Sequence, residues 1–136
     1  MKSLIVEDDL TTRVLLQKLL ERYGQCHIAV NGRDGVEAAR AAMEAGKPYD
    51  LICLDIMMPD LDGHAVLKEI RGMEEARGIV SADGAKIVMT TGLADANNVK
   101  QAIRGQCSWY LIKPIKTSKL VHLLEQLKLI GPGAKT

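Results

Sequence analysis

The sequence has no surplus of either charge, no apolar run near bilayer length and only 3 cysteines, and each shortage removes a class of function. Lys and Arg number 18 against 17 Asp and Glu, a formal charge of +1. No global field therefore draws the chain to nucleic acid or to an anionic membrane, and a partner must be recognised locally. The start "MKSLIVEDD" turns acidic after a few apolar or small residues, too short for a signal-peptide core. With no bilayer-length run elsewhere, the expectation is a soluble, cytoplasmic protein that binds neither nucleic acid nor membrane. Cys26, Cys53 and Cys107 are odd in number and far apart, which excludes a disulfide framework and the CxxC spacing of a zinc site. Cys26 and Cys53 lie in apolar runs and read as small core residues. Internal repeats, low-complexity tracts and linkers are also missing. What remains is 136 residues of 47% hydrophobic content, enough for one domain with a real core and too few for two.

Short apolar bursts at residues 4–6, 26–30, 51–54, 87–89 and 109–112, each bounded by polar or turn residues, predict five strands. Between them apolar residues recur at helical spacing, as in Val14, Leu15, Leu19, Leu20 and Tyr23, then Val36, Ala39, Ala42 and Met43, then Val66, Leu67 and Ile70. A fourth helix is predicted over 96–104 with only Val99, Ala102 and Ile103 as anchors, a weakly held element. A fifth is predicted over 118–130, with Leu120, Leu123, Leu124 and Leu127 turned inward. Alternation of this kind, with strands apolar on both faces, predicts an α/β fold: a doubly wound five-stranded parallel sheet with five helices. Residues 1–130 would form the domain and 131–136 a short tail. Residues 72–86 exceed what a simple connection needs. They are expected to add a turn or two of helix, then a solvated loop turning at Asp83 and Gly84.

In open parallel sheets ligands sit beyond the carboxyl ends of the strands, where connections diverge to opposite faces. Here the first strand runs into Glu7, Asp8 and Asp9, the third into Asp55, the fourth into Thr90 and Thr91, and the fifth into Lys113 and Pro114. A carboxylate ending a buried strand is costly unless paired, hydrogen-bonded or bound to a metal. Carboxylates a few ångströms apart raise one another's pKa or demand a cation. Magnesium suits the set, since it takes oxygen ligands, accepts one or two carboxylates and leaves a position for a phosphate oxygen. With a lysine opposite, Asp55 is of the type that attacks a phosphoryl group and becomes an acyl phosphate. The other acids have plainer readings: Asp9 as a helix N-cap, Asp60 and Asp62 as turn residues of "PDLDG".

At these residues the sequence resembles the receiver domain of two-component response regulators, most closely the single-domain regulators of the chemotaxis type. The marks are "LIVEDD", "DLICLDIMMPDLDG", "IVMTTG" and "YLIKP", in order at four strand ends. The resemblance implies a flavodoxin-like strand order 2-1-3-4-5. It makes Asp55 the phosphorylated residue and Glu7 with Asp8 the acidic pair, with Mg2+ held by Asp8, Asp55 and the Met57 backbone carbonyl. Thr91 would donate to the phosphoryl group, Lys113 would pair with it, and Tyr110 would turn inward as Thr91 moves. The Lys113–Pro114 bond would be cis, aiming Lys113 into the cleft. Met57 and Leu93 would flank the path of the hydrolytic water and set how long the phosphoryl group lasts. The implied function is a stand-alone phosphorelay switch, a signalling module and not a metabolic enzyme, that catalyses its own phosphorylation and dephosphorylation. Its partners would be a histidine kinase or histidine phosphotransfer protein and a downstream target protein, and it would be a monomer or weak dimer. Its working surface would be the fourth helix, fifth strand and fifth helix, flanked by Trp109, which strand alternation separates from Tyr110. An aspartyl phosphatase is disfavoured because Met57 stands where its second acid belongs. A flavin module is disfavoured because "EDDLTT" repels a phosphate unless a metal is present.

Overall fold

Strand and helix alternate throughout the computed structural model, which describes residues 1–92 and 96–133. The order is β1 (Ser3–Val6), α1 (Leu10–Leu20) with a 3-10 turn (Glu21–Tyr23), β2 (Cys26–Ala29), α2 (Gly32–Glu44), β3 (Leu51–Asp55), α3 (Gly63–Ala76), β4 (Lys86–Thr91), α4 (Ala96–Arg104), β5 (Trp109–Ile112) and α5 (Thr117–Gln126). All strand pairings are parallel, in the order β2-β1-β3-β4-β5. That is the doubly wound arrangement the sequence predicts.

The two-residue period of the strands sorts the core. Leu4, Val6, Ile52, Leu54, Ile87 and Met89 pack with Val36, Ala39, Val66, Leu67, Ile70 and Ala102, so α2, α3 and α4 cover one face. Ile5, Leu51, Cys53 and Val88 pack with Leu16, Leu19, Leu20, Leu120, Leu123 and Leu124, so α1 and α5 cover the other. Each fully buried leucine contributes about 1.5–3 kcal/mol relative to an exposed one. Register places Ser3 opposite both Cys26 and Leu51, so β1 and β3 end side by side. The chain leaves β1 toward β2 on one side and β3 toward β4 on the other, and the gap between these departures holds the site.

Cys53 is buried, and burial pushes its thiol up to about 12, as fits an inert core residue. Cys26 is half-buried against the α1–α5 side. Three expectations need correction. First, α5 stops at Gln126, short of residue 130. Lys128 takes φ 61°, and the amides of Lys128 and Leu129 close onto the Glu125 and Leu124 carbonyls (3.0 Å each). This is the paired closure of a helix C-terminus with lysine in the place glycine usually takes. The apolar period runs on past it because Leu127, Leu129 and Ile130 still pack on the core from outside the helix.

Second, residues 72–86 are not simply solvated. Arg71 and Glu74 of α3 are buried as an ion pair (2.7 Å). Glu74 accepts from the Ala85 amide (2.7 Å), while Arg71 donates to the carbonyls of Ala85 (2.8 Å) and Gln106 (3.0 Å). The turn at Val80–Gly84 is therefore clamped from beneath. A Cβ at Gly84 would stand 2.3 Å from the Glu74 carboxylate. Third, Trp109 and Tyr110 are not kept apart, since their rings stack at 5.5 Å and 21°. β5 is the edge of the sheet, so no further strand stands between its two faces and the rings meet around it.

Candidate functional site

The site is assembled from strand ends. Glu7, just past β1, and Asp55, ending β3, are buried at 1% and 3% exposure, while Asp8 is exposed. Each of the three offers a carboxylate oxygen, and the three oxygens lie within 4.8 Å of one another. Lys113, just past β5, reaches across with its Nζ 2.8 Å from Glu7 Oε1 and 3.5 Å from Asp55 Oδ1. Its amide donates to the Thr91 carbonyl (2.7 Å), and the Lys113–Pro114 bond is cis. Thr91 ends β4 and is buried. The Met57 amide donates to Asp55 Oδ1 (3.2 Å), which fixes the start of the loop after β3. Behind the acids, the Asp9 amide donates to Glu7 Oε2 (3.2 Å) and the Arg13 guanidinium to the Glu7 carbonyl (3.3 Å).

Charge does not balance within this set. Asp55 is pushed up to about 8, first by its burial and then by the Glu7 carboxyl beside it; Lys113 and the Met57 amide oppose the rise without cancelling it. Burial alone would lower Lys113, but the Glu7 and Asp55 carboxylates outweigh it and hold the ammonium above its usual value. Glu7 Oε1 touches Lys113 as an ion pair yet has no donor aligned on it for a hydrogen bond among the described residues. Two buried carboxylates and an exposed third beside one ammonium need either a proton or a second cation. A divalent ion with hard oxygen preference fits this donor set.

Of the other residues singled out from sequence, Asp9 caps α1, accepting from the Thr12 amide (3.0 Å) and hydroxyl (2.7 Å). Tyr110 is half-buried, in register with Met89, and Ile112 pairs with Thr91. Met57 is exposed beside the site, and Leu93 lies outside the described residues, as do residues 134–136 of the expected tail. Asp60 and Asp62 are more than turn residues. Asp62 caps α3 through the Ala65 amide (2.9 Å), and Asp60 reaches the amides of Gly32 and Arg33 at the start of α2. "PDLDG" held the signal, because Asp62 immediately precedes the helix and leaves Asp60 for another partner. His64, also missed, bonds through Nε2 to Asn98 Oδ1 of α4 (3.1 Å), while its buried Nδ1 has no partner among the described residues.

Comparison with known proteins points one way. The profile described as the response regulator receiver domain matches residues 3–125. The osmosensing histidine protein kinase SLN1 of Saccharomyces cerevisiae is 29% identical over 98% of this chain, which spans only 11% of that protein. The two-component response regulator ORR41 of Oryza sativa subsp. japonica is 30% identical over 94% of both chains. Among solved structures, the receiver domain of Ssk1, co-crystallised with the histidine phosphotransfer protein Ypd1 of Saccharomyces cerevisiae, superposes with TM-score 0.79 at 25% identity, covering 98% of this chain and 94% of that one. The receiver domain of sensor histidine kinase PA1611 from Pseudomonas aeruginosa PAO1, which carries a magnesium ion in its active-site cleft, superposes with TM-score 0.75 at 24% identity, covering 93% and 95%.

Proposed function

The chain belongs to the response regulator receiver domain family, and from that premise we propose that Asp55 is the residue phosphorylated, by a histidine kinase or histidine phosphotransfer protein whose phosphohistidine is the donor. An Asp55 oxygen bonds to phosphorus as the phosphorus–nitrogen bond breaks and its electron pair returns to the imidazole. The observation that carries the reading is Lys113, poised 2.8 Å from Glu7 and 3.5 Å from Asp55. Its ammonium meets the charge that arrives with the phosphoryl group, close to two negative charges at neutral pH.

Asp8, Asp55 and the Met57 carbonyl, with Glu7 beside them, would hold Mg2+. Such an ion would supply positive charge that offsets the carboxylates and favours an incoming phosphoryl group. The magnesium in the PA1611 cleft supports that choice of ion. Thr91, at the end of β4, donates its hydroxyl to the new phosphoryl group. Its shift, with Tyr110 following, reshapes the face made by α4, β5 and α5 for a target protein. Switching from about 1:99 to 99:1 needs roughly 5.5 kcal/mol of differential stabilisation, within reach of a few charge-assisted bonds in a largely desolvated cleft. The complex of Ssk1 with Ypd1 supports a phosphotransfer protein as donor.

Incubation with acetyl phosphate tests the reading. In magnesium the native protein should gain the mass of one phosphoryl group, in EDTA it should not, and Asp55→Asn should gain none in either. A gain that persists in Asp55→Asn would overturn it.

A further inference from the structure

We propose that Asp60 is a positioning residue for the magnesium site, holding the loop that carries the Met57 carbonyl by capping the N-terminus of α2. The proposal rests on the reading of that carbonyl as a metal ligand. Residues 56–62 link β3 to α3. The loop is tied at its start, where the Ile56 amide donates to the Thr90 carbonyl (3.0 Å), and at its end, where the Gly63 amide donates to the Ile56 carbonyl (2.8 Å). Between these ties the Met57 amide donates to Asp55 Oδ1 (3.2 Å) and Met58 is buried in the core, while the Met57 side chain is exposed and Pro59 has no amide to donate. The middle of the loop is held by Asp60, whose Oδ1 accepts from the Gly32 amide and Oδ2 from the Arg33 amide, each at 3.1 Å and across 28 and 27 residues of sequence.

The helix needs this carboxylate as much as the loop does. A helix leaves its first amides without intrahelical partners. In α2 the Asn31 side chain takes the Asp34 amide (2.8 Å), and Asp60 takes the two before it. Gly32 makes the approach possible, since a Cβ there would stand 2.3 Å from the Leu61 carbonyl oxygen. The bonds from Arg33 and Gly32 hold the Asp60 carboxyl below its usual value. Two bonds to two oxygens fix orientation as well as position.

Magnesium tolerates little departure from octahedral geometry and takes few oxygens from protein. A carbonyl on an untethered loop would meet the ion in only part of the conformational ensemble. Groups that orient a ligand in this way typically account for 10–100-fold in metal affinity.

Isothermal titration of the full chain with MgCl2 tests the proposal. Asp60→Ala should bind about 10-fold more weakly, and Asp60→Asn, which keeps one acceptor oxygen, should lose less. Asn31→Ala removes the other cap of the same helix end without touching the loop. It should lower the unfolding temperature in EDTA as Asp60→Ala does, yet bind magnesium like the native protein. The proposal is overturned if Asp60→Ala stays within about twofold of native affinity. It is also overturned if Asp60→Asn loses as much as Asp60→Ala, which would assign the effect to charge, or if Asn31→Ala loses as much, which would make it a matter of helix capping alone. Asp8→Ala, run alongside, separates the two layers. Loss of binding there with Asp60→Ala unchanged removes only the role of Asp60, whereas native affinity in Asp8→Ala removes the metal site and this proposal with it.

Discussion

One ammonium between two buried carboxylates governs how the molecule should respond to pH. Asp55 is raised to about 8 in the folded protein against 3.8 as its ordinary value, burial first and Glu7 second. The folded state therefore binds a proton that the unfolded chain has released, and stability must fall as pH rises between those values. We predict that in EDTA the protein loses on the order of a few kcal/mol between pH 4 and pH 8 through this group. Asp55→Asn should flatten the profile, and magnesium should restore stability at the alkaline end; chemical denaturation across that range is the check. A steady rise in stability would contradict the assignment. The phosphoryl lifetime is a residue-scale matter too. Met57 is exposed and apolar beside Asp55, so it cannot orient a nucleophilic water. Met57→Asn should speed acyl-phosphate decay once donor is removed, and a variant no faster than native would show that Met57 only lines the rim. The acids, the hydroxyl and the lysine were legible in the sequence because each stands at the end of an apolar burst. The partners of Asp60 and His64 were not, because they lie 28 and 34 residues away and only the folded chain brings them close.

Elements differ in how firmly they are held, and two make the contrast plain. α3 is locked to the turn before β4 by the buried Arg71–Glu74 pair, whose oxygens and nitrogens also satisfy the Ala85 backbone. Glu74→Ala would leave the buried Arg71 guanidinium without its counter-charge and the Ala85 amide without its acceptor, and should cost about 3–5 kcal/mol of stability in denaturant unfolding. A loss under about 1 kcal/mol would mean the clamp relaxes into solvent. α4, in contrast, buries only Ala102 among its described side chains, and His64 tethers it to the start of α3 through Asn98. Asn98 Oδ1 can only accept, so His64 Nε2 carries the proton. His64→Ala should raise amide exchange across α4 in unphosphorylated protein while leaving β4 unchanged, and equal protection would deny the tether. Strand positions were readable from period and the start of α1 from its cap Asp9. The end of α5 was not, since Leu127, Leu129 and Ile130 continue the apolar pattern beyond a turn that a left-handed lysine closes. Nor was the Trp109–Tyr110 stack, which depends on β5 being the edge of the sheet.

Across the whole molecule the near-neutral charge conceals an uneven distribution. From Ala96 to Leu124 the sequence holds Lys100, Arg104, Lys113, Lys116 and Lys119 and no Asp or Glu. Lys100, Arg104, Lys116 and Lys119 are exposed on and beside α4 and α5, with Trp109 and Ile112 exposed on β5 between them. Two copies meeting through this face would bring like charges together, which is costly. The phosphorylated protein should therefore sediment as a monomer at micromolar concentration, and dimerisation through this face would contradict the charge argument. No described helix is long and apolar enough to cross a membrane. The sheet order sets β1 and β3 side by side and sends their connections apart, so the cluster of Glu7, Asp8, Asp55 and Lys113 follows from topology as much as from residue choice. The most direct test of the central claim is to phosphorylate the protein in magnesium, trap the acyl phosphate by borohydride reduction, and find the reduced residue by peptide mass. The account predicts Asp55 alone; label on Asp8, Asp60 or Asp62, or none anywhere, would contradict it.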